Sequence, residues 1–313
     1  MQVLAQKKFK PDTTYYVSYQ DKLTTRIFLS KKYIHLNIPS DGNVPDLEYK
    51  ANPKLNLGLG FSYKNFSLNL FNGFGFLNKK SEEKGKTSGL DFQLQLYPKK
   101  WTISLLAEFP KGFFIDDKGY AGVGKDFYYY RGDIKSTLIG IAAFRVPNKE
   151  KFSYRAATQQ TEWQKKSAGS FLFGGGAFFG NVQGDSALVP GLVKNFYPQE
   201  GVTRIKYTSF GPGVGYAHTF VLAQHYFFTG SMVFSGQINF VNEENSEKIS
   251  KVSLTGADNF KVALGYNGPS WNISANWAGN GLWLKGPSTN ERYFFPSGII
   301  RVVVAHRFNV QKK

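Results

Sequence analysis

Few side chains in this sequence could take part in catalysis. The chain has no cysteine, which excludes thiolate chemistry and thiolate metal sites. Its four histidines do not occur at the spacing of a metal-ligand pair; they are His35, His218, His225 and His306. The glycines at 211–215 lack the Lys-Ser/Thr that completes a phosphate loop. We therefore predict no catalytic residue, no metal and no cofactor, and we expect that the chain is not an enzyme.

Charged side chains on alternating positions are more informative. Seven of them lie opposite large apolar residues in the sequence pattern: Arg26, Asp91, Glu108, Arg155, Lys261, Arg301 and Arg307. Their role depends on the elements that carry them, and on which face of those elements is buried.

Those elements are strands with a period of two residues. Large apolar residues alternate with Gly, Ser, Asn and Gln at 54–63, 89–97, 226–240 and 258–267, with no period of 3.6. Large aromatics occupy one face, several of them at strand ends, and the other face is small and polar. Short turns at 64–65, 98–100, 222–225 and 268–270 interleave with longer connections at 39–53, 77–88 and 241–256. This pattern is typical of a transmembrane barrel in the outer membrane of a Gram-negative bacterium, and it disfavours a soluble sandwich.

The fold class predicted is all-β, a transmembrane antiparallel up-and-down β-barrel. About thirteen strands are recognisable: 23–30, 54–63, 66–76, 89–97, 101–109, 134–146, 151–160, 168–180, 207–220, 226–240, 258–267, 271–284 and 294–308. Bacterial barrels usually have an even number. We predict fourteen, with twelve as the alternative; a missing strand would lie at 120–130 or in 187–206.

The last strand indicates how the barrel closes. Ile300, Val302, Val304 and Phe308 alternate with Arg301 and Arg307, and the aromatic near the end resembles a barrel-assembly signal. Five residues follow Phe308, which departs from that signal. The strand predicts a lipid-facing apolar side, inward arginines, and both termini in the periplasm.

The domain boundaries follow from these strands. We expect an N-terminal periplasmic segment at 1–20, a single barrel at 21–310 and a tail at 311–313. Residues 1–5 resemble the small-residue end of an export signal, although a disordered soluble N-terminus fits them equally.

The middle of the chain resembles a known family. Residues 151–157 read KFSYRAA and residues 164–172 read QKKSAGSFL. These stretches, with others spread over 15–310, are similar to a Bacteroidetes-type family described only as a domain of unknown function. The resemblance implies an outer-membrane barrel and brings no catalytic residues.

The seven alternating charges would point into the lumen, because a charge facing lipid is costly. Since acids and bases occur together, we favour an interior salt-bridge network over a charged constriction that selects solutes. A loop at 188–193 is unusually apolar. It is interpreted as a plug in the lumen or as a docking surface for a partner barrel.

The net charge of +17 indicates anionic neighbours. We expect outer-membrane lipids and lipopolysaccharide, and other outer-membrane proteins in a complex, as partners. Nucleic acid is not expected, because the aromatics that would stack on bases belong to the lipid face. The function predicted is a structural or accessory subunit of an assembly for barrel insertion or protein export. The alternatives are a passive channel for small solutes and a rim-located lipid or peptide hydrolase.

Overall fold

The computed structural model describes residues 11–64, 66–78, 82–98 and 100–310. The residual export signal proposed at 1–5 and the tail at 311–313 lie outside these residues. Within them the strands are β1 (Tyr16–Ser18), β2 (Leu23–Ile38), β3 (Leu47–Ala51), β4 (Asn56–Tyr63), β5 (Phe66–Asn72), β6 (Ser88–Leu96), β7 (Trp101–Lys118), β8 (Tyr128–Arg145), β9 (Glu162–Gln164), β10 (Ala168–Gln183), β11 (Arg204–Leu222), β12 (Tyr226–Glu244), β13 (Lys248–Asn267), β14 (Trp271–Lys285), β15 (Arg292–Phe294) and β16 (Ser297–Phe308).

The helices are short. There is one α-helix, α1 (Tyr154–Thr158), and the single-turn or two-turn 3₁₀ helices are Gly75–Leu77, Glu82–Lys84, Tyr120–Gly122 and Gly191–Phe196. No helix in the described ranges has the length and apolar character needed to cross a membrane.

Antiparallel pairing closes ten strands into a ring. Its order is β2, β3, β7, β8, β10, β11, β12, β13, β14 and β16, and β16 pairs back onto β2. Four more strands, β4, β5, β6 and β15, belong to the same sheet but not to the ring: β4, β6 and β15 pair with ring strands, and β5 pairs with β4. The closed all-β barrel is therefore confirmed. The sheet holds fourteen strands in all, but a barrel of fourteen is not confirmed, and the closed ring does not have twelve either.

The two halves of the barrel wall differ along one side. We call the end with the long connections the upper end and the end with the short turns the base. In the upper half β3 lies between β2 and β7. Towards the base, β3 is replaced by β4 beside β2 and by β6 beside β7. The other edge of β4 pairs with β5. No pairing joins β5 to β6 over the described residues of this region. We call the gap between them the seam.

The predicted alternation in β16 is confirmed. Ile300 and Val302 are each half exposed on the outer surface, whereas Val303, Ala305 and Arg307 are buried. Successive side chains of a strand point to opposite faces, so the apolar residues at 300, 302, 304 and 308 form an outward row. The same alternation runs through β10 to β14 and leaves an apolar outer surface rich in aromatic side chains.

The strand predicted at 151–160 is wrong, because α1 and the following loop occupy that segment. Ser153 caps α1, and its Oγ accepts a hydrogen bond from the backbone N–H of Ala156 at 3.0 Å. Such a cap stabilises a helix by about 1 kcal/mol. It favours helix here over the strand that the aromatics at 152 and 154 suggested.

One predicted loop and two candidate positions for a missing strand also differ from the structure. The segment 241–256 is not a loop: β12 and β13 continue to a tight turn at 245–247. Neither 120–130 nor 187–206 adds a strand, since each contains a 3₁₀ helix and only its last residues belong to β8 or β11. The upper ends of these strands carry polar and charged residues that interrupt the apolar outer row by which the strands were recognised. Their ends could therefore not be found from alternation.

The upper half of the barrel interior is a packed apolar core. Residues from ten strands and the connection 184–203 meet there with almost no exposed surface; among the largest are Tyr49, Phe113, Ile134, Leu188, Ile205, Leu284 and Tyr293. An interior packed to this extent leaves no continuous water-filled path at this level.

Candidate functional site

The base of the lumen is filled by residues 146–167, which we call the base plug. It contains α1 and β9, and its β9 pairs with β1 from the N-terminal segment. Phe152, Ala156 and Ala157 are buried. The hydroxyl of Tyr154 lies 3.0 Å from Ser231 Oγ on β12, so the helix is tied to the inner wall by a side-chain hydrogen bond.

A polar network holds the base plug together from within. The amide of Gln164 accepts from the backbone N–H of Ser153 at 2.8 Å and donates to the carbonyl of Lys151 at 2.7 Å. Glu162 accepts a short hydrogen bond from Ser153 Oγ and lies 3.7 Å from Arg155. These residues belong to the stretch on which the family resemblance rests. This network explains why polar residues occur at these positions.

The upper end is closed by residues 184–203, which we call the upper cap. Leu188 and Val189 are buried in the apolar core, and Leu192 is exposed. The hydroxyl of Tyr49 donates to the carbonyl of Leu188 at 2.8 Å, and Arg131 donates to the carbonyl of Ala187 at 2.8 Å. The loop interpreted above as a plug or a docking surface therefore lies with its first two apolar residues inside the lumen.

The predicted inward charges separate into two groups. Asp91 and Glu108 both bind Lys32, with Nζ to oxygen distances of 2.6 and 2.7 Å. Lys32 was not among the predicted residues, because it lies beyond the end predicted for its strand at residue 30. Arg155 is on α1 and not on a wall strand, and its acid partner is Glu162. These residues form short-range ion pairs.

The second group has no acid partner within the described chain. Arg26 donates to Asn69 Oδ1 at 3.3 Å and also hydrogen-bonds to Ser62. Arg307 donates only to carbonyl and amide oxygens. Lys261 and Arg301 make fewer polar contacts still. The interior therefore carries more positive than negative charge.

Lys261 and Arg301 line an internal cavity of about 150 Å³. It lies between the base plug and the wall formed by β13, β14, β16 and β6. Its other polar lining comes mainly from Gln93, Gln95, Asn276, Ser231 and Tyr154. Lys261 Nζ is 3.4 Å from Gln95 Oε1, and it lies over the ring of Tyr154 at 4.9 Å from the centroid. We call this space the middle cavity.

At the seam the middle cavity faces the outside of the barrel. Gln93 on β6 lines the cavity and is nevertheless exposed, as is Asp91 on the same inner face. On β5 the inward-facing Ser67 is exposed, and Phe71 is 53% exposed. Inward positions on other strands are buried or half-buried at this level, so the exposure is a consequence of the unpaired edges of β5 and β6.

Sequence comparison decides the family. The sequence model of the family described as Domain of unknown function (DUF4421) matches residues 10–304. The chain belongs to the DUF4421 family. A search of curated proteins finds no match to the DUF4421 chain.

Several solved structures resemble this DUF4421 barrel. The outer membrane protease OmpT from Escherichia coli is 9% identical, with a TM-score of 0.37 and coverage of 93% of this chain and 97% of that one. The outer membrane protein OprG from Pseudomonas aeruginosa is 12% identical, with a TM-score of 0.24 and coverage of 92% and 98%. The Pseudomonas putida toluene transporter TodX is 8% identical, with a TM-score of 0.24 and coverage of 96% and 91%. At these scores the similarity carries no functional argument, and the barrel is established by its own strand pairing.

The histidines of this DUF4421 chain lie in packing positions. His218 stacks on Phe220, with ring centroids 4.3 Å apart, and His306 lies 4.4 Å from Trp271. His225 lies between the rings of Trp163 and Tyr266, with centroid distances of 5.1 and 5.2 Å. These three form part of an aromatic band at the base.

Burial shifts the titration of two groups in the base plug. It raises the pKa of Tyr154 to about 12, and the hydrogen bond with Ser231 partly opposes that shift. Burial also raises the pKa of the Glu162 carboxyl above its ordinary value of 4.5, against the effects of Ser153, Arg155 and Lys149. Glu162 therefore favours its protonated form more than an exposed glutamate does.

Proposed function

We propose that this chain is an integral outer-membrane β-barrel with a non-conducting lumen, acting as a structural or accessory subunit of a larger outer-membrane assembly. The observation that carries the proposal is the double closure of the lumen. The base plug fills one end, and the upper cap and its apolar core fill the other. A barrel filled in this way has no open pore, so its outer surface and its seam are the parts available for function.

The outer surface supports the membrane location. Residues that would be buried in a soluble protein, such as Phe234, Leu254 and Trp277, are about half exposed or more on the outside of the ring. A continuous apolar surface of this kind matches the hydrocarbon layer of a bilayer. With the short turns at the periplasmic side, both termini lie in the periplasm, and the long connections contact lipopolysaccharide.

The seam supports the subunit role. Backbone N–H and C=O groups without partners are costly in hydrocarbon, at several kcal/mol each. The facing edges of β5 and β6 carry such groups over seven and nine residues. Strands from a neighbouring outer-membrane protein, one beside each edge, would satisfy them by antiparallel pairing. We propose that such a subunit belongs to an assembly for barrel insertion or protein export.

Two measurements test this proposal. Purified protein reconstituted in planar bilayers is expected to show no steady conductance, because both ends are filled. Extraction in mild detergent at native abundance is expected to yield a particle larger than the 35.2 kDa chain in its micelle. A stable single-channel current would favour the passive channel, and recovery of the chain only as a lone barrel would refute the subunit role.

We infer in addition that the chain is not an enzyme. His225 Nδ1 lies 3.0 Å from the carbonyl oxygen of Asn267, and its ring is held between two aromatic rings. A general base needs a free ring nitrogen directed at a nucleophile. The test is turnover of phospholipid and peptide substrates by the purified protein, compared with the His218→Ala and His225→Ala variants. Turnover that depends on either histidine would establish the hydrolase instead.

A further inference from the structure

The middle cavity contains two cations that no acid neutralises. Lys261 on β13 and Arg301 on β16 both line it, and neither forms an ion pair within the described residues. Asp91 acts on Arg301 only from beyond ion-pair distance and is itself bound to Lys32, as is Glu108. Buried charges are costly unless an opposite charge and hydrogen bonds compensate them. The cavity therefore has an unmet requirement for negative charge.

The strand register places the two cations around one small residue. Lys261 is paired with Ala278 on β14, and Asn276, two residues earlier on the same face, is paired with Arg301. The two backbone positions are thus separated by one intervening strand, at roughly 10 Å. Ala278 leaves space between them. Two long cationic side chains at that separation can both reach one small anion.

The aromatic contacts of the two cations leave donors free. Arg301 lies over the ring of Phe28 at 4.8 Å from the centroid, and its Nε has no hydrogen-bond partner. Lys261 lies over Tyr154 and makes one long contact with Gln95. A guanidinium stacked on a ring can still donate through its edge, and an ammonium can still donate through two further hydrogens. Both groups are thus equipped to bind oxygen atoms.

The remaining lining suits an oxyanion. The amides of Gln93 and Gln95 can donate to further oxygen atoms, and so can the one hydroxyl hydrogen that the bond between Ser231 and Tyr154 leaves free. Arg26 is held by Ser62 and Asn69 on the neighbouring wall and adds positive charge nearby. A ligand would reach the cavity past Gln93, which is exposed at the seam. The lining does not depend on whether the barrel belongs to a larger assembly, whereas this entry is open only while no partner strand covers the seam.

We propose that the middle cavity is a binding site for a small oxyanion, a carboxylate or a phosphate group, held between Lys261 and Arg301. Charge-assisted hydrogen bonds from the guanidinium and the ammonium supply the affinity, and the glutamine amides orient the anion. The phosphate would belong to a phosphorylated headgroup or a free phosphate, and the carboxylate to a small organic acid.

Binding is measured by titration calorimetry of the full chain in non-ionic detergent. The probes are inorganic phosphate, methyl phosphate and acetate, each compared with sodium chloride at equal ionic strength. Saturable binding of one probe supports the proposal and identifies the anion. Stronger binding of methyl phosphate than of inorganic phosphate indicates a phosphate ester. Absence of saturable binding by all three probes overturns the proposal.

Variants locate the bound anion. Lys261→Met and Arg301→Gln are each expected to weaken binding about tenfold or more, the loss typical of one charge-assisted hydrogen bond. Lys125→Met, which removes one positive charge from an exposed connection, is the matched control and is expected to bind as the unchanged protein does. Equal affinity in all four proteins would refute the site even if an anion binds elsewhere.

The denaturant concentration at the unfolding midpoint is a second readout, and it compares the unchanged protein with both variants. Lys261→Met and Arg301→Gln each remove a half-buried charge that forms no ion pair within the described residues, so in the absence of anion each is expected to unfold at a higher denaturant concentration than the unchanged protein. The anion that binds should raise the midpoint of the unchanged protein and leave the variants unaffected. A variant destabilised without anion, together with an anion effect that persists, would contradict the site.

Discussion

Arg307 on β16 binds the carbonyl oxygen of Gln160 in the base plug, with Nε and Nη2 donating at 2.9 and 2.6 Å. The strand that closes the barrel is therefore also the strand that holds the plug. Nη2 donates in addition to Asn267 Oδ1 at 2.8 Å, and Asn267 Nδ2 donates to the carbonyl of Glu162 at 3.1 Å. Closing strand, plug and the β13–β14 turn thus form one hydrogen-bonded unit.

We expect Arg307→Met to destabilise the barrel by about 3 kcal/mol, because it leaves buried carbonyl oxygens without donors after losing hydrogen bonds to a charged group. The measurement is the free energy of unfolding in urea, in lipid vesicles. Arg292→Met is the control, since Arg292 is exposed on β15, and it is expected to change the free energy little. Equal effects of the two substitutions would show that the contact with Gln160 contributes nothing.

Much of the fold could be predicted from strand parity. In β16 the outward positions 300, 302 and 304 and the inward position 307 follow directly from alternation, because one face is apolar and the other carries small and charged residues. The method failed where that contrast ends. At the upper ends of β12 and β13, charged residues such as Glu243, Glu244 and Lys248 interrupt the alternation, and these strand ends were predicted as one long loop. Short strands such as β3 and β15 have too few residues to establish a period.

The site was less accessible to prediction than the wall. Parity predicted seven inward charges, of which Arg155 lies on α1 and the other six lie on strands, but only the structure shows that Asp91 and Glu108 share Lys32. Pairing between strands far apart in sequence depends on register, which alternation leaves undetermined. The base plug was missed for a different reason. Phe152 and Tyr154 alternate like strand residues, and the capping role of Ser153 was the local signal that could have corrected the interpretation.

The stability of the base plug should depend on the ionisation of Glu162. Burial raises the pKa of this carboxyl in the folded state. The stability that this carboxyl contributes is therefore fully present at pH values below its unfolded-state pKa of 4.5. It is lost as the pH rises through the higher pKa of the folded state. We expect the difference in unfolding free energy between the unchanged protein and Glu162→Gln to decline over that window. The limiting slope is about 1.4 kcal/mol per pH unit.

Denaturant titrations of both proteins from about pH 3 to pH 8, roughly the range over which carboxyl groups titrate, measure this difference. The other titrating groups do not contribute to the difference, because both proteins share them. Glu150→Gln serves as the control, since Glu150 lies in the same segment and its side chain is 60% exposed. A difference that increases with pH would mean that the ion pair with Arg155 outweighs burial.

The seam predicts a specific pattern of chemical accessibility. The chain has no cysteine, so a single introduced thiol reports on its own position. Gln93→Cys, on the inner face beside the seam, is expected to react with a water-soluble maleimide. Ser209→Cys is expected to stay unlabelled, because Ser209 faces the upper core and is fully buried. Protection of residue 93 in detergent would show that β5 and β6 close the seam by pairing.

The upper cap can be tested with two tyrosines that make the same kind of bond in different surroundings. Tyr49 donates to the carbonyl of Leu188 at 2.8 Å and is fully buried, whereas Tyr130 donates to the carbonyl of Lys86 at 2.7 Å and is 42% exposed. Tyr49→Phe leaves a buried carbonyl oxygen without a donor, which costs about 1–3 kcal/mol. After Tyr130→Phe, water replaces the lost hydroxyl, so we expect a loss of roughly 0.5 kcal/mol or less. Urea titrations of both variants give the comparison, and equal losses would mean that the Leu188 carbonyl is reached by water and that the upper cap does not seal the lumen.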